Sequence, residues 1–147
     1  MDIQKLAEYI TWVSNKEGEP VTHMQLQMIL YYVQGVYLQG MEKEAYEEEI
    51  EAWDMGPVIE KVFNRYVKYG MGRIINTRES VLDIDEDERY ILDSLIREIR
   101  QTPPFDILED IQHKESAYSR AYKKGKKKEI DKEIDKEIDK ELLKYYA

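Results

Sequence analysis

The chain contains no cysteine, only two histidines, two phenylalanines and four prolines, and no uninterrupted apolar run of the roughly 18 residues that a membrane helix needs. Each shortage removes a class of chemistry or architecture. Without cysteine there is no disulfide framework, no thiolate nucleophile and no Cys-rich zinc site. Without a long apolar run, and with Met1-Asp2-Ile3-Gln4-Lys5 leading straight into an amphipathic pattern, the chain reads as a cytoplasmic protein with no membrane partner. Imidazole chemistry rests on His23 and His113 alone. No Gly-rich phosphate loop is present, since Gly70-Met71-Gly72 has neither a lysine nor the strand-to-helix setting such a loop requires.

What the 147 residues do contain is a 42% hydrophobic fraction, enough for one core, and an excess of acid. The 31 Asp and Glu against 22 Lys and Arg leave a formal charge of −9. That balance opposes binding to phosphate backbones, disfavouring nucleic acid as a main partner, and favours a basic protein surface through long-range steering.

Ile3, Leu6, Ala7, Ile10 and Val13 recur at helical spacing, which predicts a helix over residues 2–14. Thr22 and Gln25 have the spacing of a capping box, with Val21 placed to staple onto Leu26. The helix they open carries Leu26, Ile29, Leu30, Val33, Val36, Tyr37 and Leu38, apolar around much of its circumference, and reads as a central buried helix reaching about Gln39. Gly56-Pro57 predicts a turn opening the next helix, with Val58, Ile59, Val62, Phe63, Tyr66 and Val67 on its buried face. Residues 73–77 could form a small strand. Asp85 to Glu88 begins a helix with the stripe Ile91, Leu92, Leu95, Ile96 and Ile99, and shorter helices follow Pro103-Pro104. The expected fold is a mainly α, compact single domain with at most a small short-stranded β element and an extended C-terminal helix. Leu26, Leu30, Val33, Trp53, Val58, Val62, Leu92 and Leu95 are the expected core.

From Glu129 the chain reads Glu-Ile-Asp-Lys three times. Four residues advance a helix by about 400°, so Ile130, Ile134, Ile138 and Leu142 stay on one broad face. The pattern divides the chain into a domain over 1–128 and a charged repeat helix over 129–147, which is either a solvated tail or an arm for a partner.

The remaining chemistry-bearing residues have plain readings. His23, at the first helical position, is expected at the surface. His113 with Glu115 could orient a base, but no nucleophile elbow accompanies it, and a buried or capping histidine that locks the last helices is expected. Glu47, Glu48, Glu49 and Glu51 read as a solvated acidic face without metal-ligand spacing. The Lys123-Lys124-Gly125-Lys126-Lys127-Lys128 run reads as a hinge, with phosphate contact as the alternative. Twelve tyrosines exceed what a core needs of hydroxyl-bearing rings, and tyrosine suits binding hot spots.

Several of these segments together resemble a known family. Lys5-Leu6-Ala7-Glu8-Tyr9-Ile10, the Thr22-led helix with Leu26-Gln27 and Tyr31-Tyr32, the acidic approach to Ala52-Trp53 and Gly56-Pro57-Val58, and the late His113-Lys114-Glu115-Ser116-Ala117-Tyr118 element look like the Panacea, or SocA-like antitoxin, domain. Met28 stands where that pattern commonly has Lys, Gln112 replaces a Thr, and Tyr118 replaces a Trp. The resemblance implies an antitoxin-like protein, not an enzyme and without cofactor or metal. It would neutralise a cognate protein toxin, expected to be basic, by direct binding and occlusion of the toxin's active site. Alternatives are a phage-encoded inhibitor of a host nuclease such as a CRISPR or restriction effector, and a nucleic-acid-binding regulator; some relatives act as protease adaptors. Candidate partner contacts are Gln27, Tyr31, Trp53, Met55, Tyr118 and Tyr122, while Thr22, Gln25, Gly56, Pro57 and His113 are given structural roles.

The repeat stripe is too thin to hold a helix by burial, and an isolated helix of its length is marginal in water. Deleting residues 131–147 should therefore leave a cooperatively melting domain of slightly lower stability. Loss of the melting transition would place the repeat face in the core.

Overall fold

The computed structural model describes residues 1–113, 116–125 and 128–130. Helix α1 (Ile3–Lys16) starts at Asp2, whose carboxylate accepts from the Gln4 and Lys5 amides at 2.8 and 3.0 Å. Helix α2 (His23–Val36) starts in the expected capping box: the Gln25 amide donates to the Thr22 hydroxyl at 3.2 Å, and the Thr22 amide donates to the Gln25 side chain at 3.0 Å. Its apolar circumference is buried on all sides, because α1, the hairpin and three later helices pack around it. A π-helical turn (Tyr37–Met41) extends it and stops at Glu42, which has a left-handed backbone.

Strands β1 (Glu51–Trp53) and β2 (Gly56–Val58) form an antiparallel hairpin, followed by α3 (Glu60–Tyr66) and a short 3₁₀ turn (Val67–Tyr69). The turn is thus Asp54-Met55, and Gly56-Pro57 is the start of a strand rather than a turn into the helix. Proline is tolerated there because β2 is an edge of the sheet, with β1 as its one neighbouring strand among the described residues. Gly56 has φ +133°, a backbone that favours glycine, and a Cβ on it would also stand a tight 3.3 Å from a Leu108 methyl.

The strand expected over 73–77 does not form. Only a bridge between Thr22 and Arg73 and the Ile74 N–H donating to the Val21 carbonyl at 2.7 Å remain. Side chains replace a neighbouring strand: Asn15 donates to the Ile74 carbonyl at 2.9 Å, and Asn76 donates to the Glu8 carbonyl and the Thr11 hydroxyl. The segment is thereby tied down along α1.

Helix α4 (Glu86–Gln101) is capped by Asp85 and buries Leu92, Leu95, Ile96 and Ile99. Its outer face is fastened to α1 and the loop that follows. Arg97 and Arg100 donate to Glu17 at 2.7 and 2.8 Å, and Arg100 also reaches Glu19 at 3.0 Å. Hydrogen bonds from Arg97 and Arg100 hold the Glu17 carboxyl below its ordinary range. Helix α5 (Pro104–Ile111) carries Pro104 in its first turn, where a missing N–H costs nothing, and α6 (Ala117–Lys124) is capped by Ser116.

Strand β3 (Lys128–Glu129) returns antiparallel to β1, and Ile130 is fully buried with its N–H donated to the Ile50 carbonyl at 2.7 Å. The boundary expected at 128/129 therefore runs through a strand, and the repeat begins extended rather than helical because β1 offers it an unpaired edge. The helix expected beyond it, over 131–147, lies outside the described residues. The mainly α fold with one small sheet is the observed fold.

Leu26, Leu30, Val33, Val62, Leu92 and Leu95 are buried as expected. Trp53 and Val58 are only half-buried, and Val67 is exposed, because α3 is short and nothing among the described residues closes over this side.

Two buried glutamine side chains of α2 clamp neighbouring backbone. Gln34, with no exposed surface, accepts from the Ala45 N–H at 2.7 Å and donates to the Tyr46 carbonyl at 2.8 Å. Gln34→Leu should orphan a buried donor and a buried acceptor, each worth about 1–3 kcal/mol, and cost about 2–6 kcal/mol in denaturant unfolding. A loss under about 1 kcal/mol would show that residues 45 and 46 are not held by this amide.

Candidate partner-binding cleft

Gln27, one turn into α2, performs the second of these clamps. Its side-chain oxygen accepts from the Ile59 N–H at 2.9 Å, while its amide nitrogen donates to the Ile59 carbonyl at 3.4 Å and lies 3.1 Å from His23 Nε2. Ile59 is the residue between hairpin and α3, so this clamp fixes both against the start of α2. Trp53 then meets Phe63 with ring centroids 4.8 Å apart, and Phe63 meets the His23 ring at 5.4 Å.

Between these elements opens a cleft of about 430 Å³. Its walls are apolar: Met24 and Met28 from α2, Trp53, Met55, Pro57 and Val58 from the hairpin, Phe63 from α3, and Met71 from the loop beyond. Four of the six methionines in the chain line it. Unbranched, polarizable thioethers around an aromatic pair make a surface that reshapes itself to an apolar ligand. The charged member is Asp54 at the hairpin turn.

Behind the hairpin, α6 supports the turn with two stacked tyrosines whose centroids are 5.9 Å apart. Tyr118 donates its hydroxyl to the Trp53 carbonyl, and Tyr122 donates to Asp54 at 2.6 Å. The hydrogen bond to Asp54 raises the Tyr122 pKa, keeping the phenol a donor.

The candidate contacts therefore separate. Gln27, Trp53 and Met55 line the cleft; Tyr118 and Tyr122 buttress it from behind; Tyr31 lies elsewhere, buried edge-on to Tyr32. Pro57 contributes to the wall, and Gly56 permits the close approach of α5 described above. His23 is buried, not at the surface, because α3 covers the first turn of α2. His113 is exposed rather than buried, its carbonyl accepting from the Ser116 N–H at 2.9 Å, and Ser119 joins α6 to the end of α5 by donating its hydroxyl to the Gln112 carbonyl at 2.9 Å. Sequence reasoning missed Met24, Met28, Phe63 and Met71 as a group. Met24 and Met28 are one turn apart and legible as a pair, but nothing in the sequence joins them to Met71.

A second cleft of about 540 Å³ lies between α1, α3 and residues 74–81, but its walls are mostly polar and of mixed charge, with Arg65 paired to Glu8 at 2.8 Å. Among the described residues no three His, Asp or Glu side chains are grouped to hold a metal ion.

Compared with known proteins, residues 26–146 match the family model of the antitoxin SocA-like Panacea domain. The match spans the central helix, the cleft and the repeats, and begins after the α1 segment and Thr22, which the resemblance had included. No curated protein and no solved structure matches the chain.

Burial holds the His23 pKa below its ordinary 6.5, so the unfolded chain takes up a proton that the folded chain resists. Stability should thus be highest above about pH 7 and fall as pH drops through 6.5. The Glu17 carboxyl is held below its ordinary 4.5, so its ion pairs stay intact across this window and their contribution is lost only at lower pH. Melting temperatures between pH 7.5 and 5.5 should fall for the wild-type chain and fall less for His23→Gln; equal slopes would remove His23 as the titrating group.

Proposed function

As the chain belongs to the antitoxin SocA-like Panacea family, we propose that it neutralises a protein toxin by binding it directly through the methionine-lined cleft, covering the toxin's active site. The observation that carries this reading is the cleft itself. An open apolar cavity walled by Trp53, Phe63 and four methionines is costly to leave in water, and a solvent-facing patch of this kind marks an interaction site. The partner it fits presents an apolar anchor on a basic surface. The net charge of −9 and Asp54 at the rim supply the complementary field, which raises the association rate more than the affinity.

The family function and the chemistry of the cleft converge on binding rather than catalysis. His23 has its Nε2 engaged with Gln27 and its ring against Phe63, an arrangement that shapes a wall of the cleft. The hairpin turn and the Met71 loop are the parts of the wall a docking surface would meet first, because Met55 and Met71 are its most exposed members.

The test uses the product of the gene adjacent to the one encoding this chain, expressed from an inducible promoter. That product should arrest growth, the wild-type chain should restore it, and the double variant Met55→Glu, Met71→Glu should not, although its melting temperature stays within a few degrees of wild type. The two charges placed in the docking face should weaken binding by about 100-fold or more. Restoration by the double variant would move the docking face elsewhere, and failure of the wild-type chain to restore growth would overturn the antitoxin reading for that pair.

A further inference from the structure

We propose that Met55 and Met71 are a reversible oxidation site that controls access to the cleft, their conversion to sulfoxides releasing the docked partner; this rests on the reading of the cleft as the docking face. The chain has no cysteine, so methionine is its readily and reversibly oxidised residue. The exposure of the six methionines is uneven in a way that concentrates this chemistry at one place. Met71 is 96% exposed and Met55 69%, against 37% for Met1 and 2% for Met28 at the cleft floor. The two most exposed thioethers are thus both on the rim of the same cleft, one from the hairpin turn and one from the loop between Gly70 and Gly72.

A peroxide is the oxidant. The sulfur lone pair attacks one peroxide oxygen, an S–O bond forms as the O–O bond breaks, and the departing hydroxide takes the remaining proton to leave as water. Sulfur loses two electrons and the peroxide gains them, so hydrogen peroxide and a thioether give one sulfoxide and one water. Methionine sulfoxide reductases reverse the step at the expense of a pair of thiols, with one enzyme for each sulfoxide epimer.

The product is incompatible with an occupied cleft. A sulfoxide oxygen is a strong acceptor that must be hydrogen-bonded wherever it is covered. Two side-chain donors in the cleft wall are already committed. The Trp53 indole N–H goes to Glu51 at 2.9 Å, and the Gln27 amide N–H groups go to His23 and Ile59. The oxidised rim therefore keeps its water, and an apolar anchor can no longer seal over it. Met24 and Met28, deeper in the wall, remain as thioethers and preserve the fold.

The experiment treats the full chain with limiting hydrogen peroxide, maps sulfoxides by peptide mass spectrometry, and follows binding of the neutral apolar dye Nile red by fluorescence. Met55 and Met71 should oxidise before the other four methionines, Nile red should bind at least about tenfold more weakly once both are modified, and a mixture of both reductases should restore it. The double variant Met55→Leu, Met71→Leu, apolar and unable to form sulfoxides at the rim, should show the same dye affinity after peroxide treatment as it had before treatment, whatever that starting affinity is. Earlier oxidation of other methionines, dye binding that survives modification of both rim residues, loss of binding in the peroxide-treated Leu variant, or no dye binding by the untreated chain would each overturn the proposal. Failure of the docking reading itself shows separately, as a Met55→Glu, Met71→Glu chain that still neutralises the toxin.

Discussion

Two glutamine carboxamides buried along one face of the central helix hold the rest of the structure in register. Gln27 and Gln34 are seven residues apart, close to two full turns, so their side chains project from α2 in nearly the same direction. Each presents a carbonyl and an amide to backbone outside the helices and strands, Gln34 to the loop before the hairpin and Gln27 to the N-cap residue of α3. Gln34 takes Ala45 and Tyr46, before the hairpin, and Gln27 takes Ile59, after it. The hairpin is thus pinned at both ends by one rigid rod, and the position of Trp53 and Met55 follows from those two clamps. In a low-dielectric core such bonds are strong when complete and costly when broken, which makes the hairpin's placement all-or-none.

Around this spine the tyrosines act as struts. Tyr9 donates to Asp93, Tyr32 to Asp110 at 2.5 Å, Tyr37 to Glu88 at 3.0 Å, and Tyr46 to the Leu30 carbonyl at 2.6 Å. With Tyr118 and Tyr122 on the hairpin turn, at least six of the tyrosines among the described residues are committed to internal ties. The reading of tyrosine as a surplus available for binding is corrected accordingly. A ring that enters the core carries a hydroxyl that needs a partner, and an acid-rich chain supplies carboxylates at the edge of the core to receive it. Burial and the neighbouring carboxylates push the Tyr9 and Tyr37 hydroxyls upward, so they remain protonated donors at all physiological pH.

The division of labour has a consequence for recognition. Tyrosine, rigid and directional, fixes the scaffold; methionine, unbranched and without a strong hydrogen-bonding demand, is left to face the partner. A cleft built this way gains contact area from side chains that adjust, while its backbone frame stays fixed by glutamine and tyrosine. The same chemistry makes the rim sensitive to oxidation, because a thioether that is soft enough to adapt is also nucleophilic enough to react with peroxide.

The sequence by itself determined the helix caps and apolar stripes, which depend on residues a few positions apart. The capping box at Thr22 and Gln25, the stripes of α1, α2 and α4, and the acid-led start at Asp85 are local, and hydrophobic period and cap chemistry specify them without reference to the rest of the chain. The family was legible from signature residues in the same way, and residues 26–146 carry it. Tertiary structure decided the pairings between segments. Lys128-Glu129 became a strand because β1 had a free edge, residues 73–77 did not because side chains from α1 already held their backbone, and His23 was buried because α3 folded over it. The cleft belongs to this second class: Met24, Met55, Phe63 and Met71 are spread over nearly fifty residues, and long-range ties such as the clamp of Gln27 on Ile59 bring hairpin and helix to the same place.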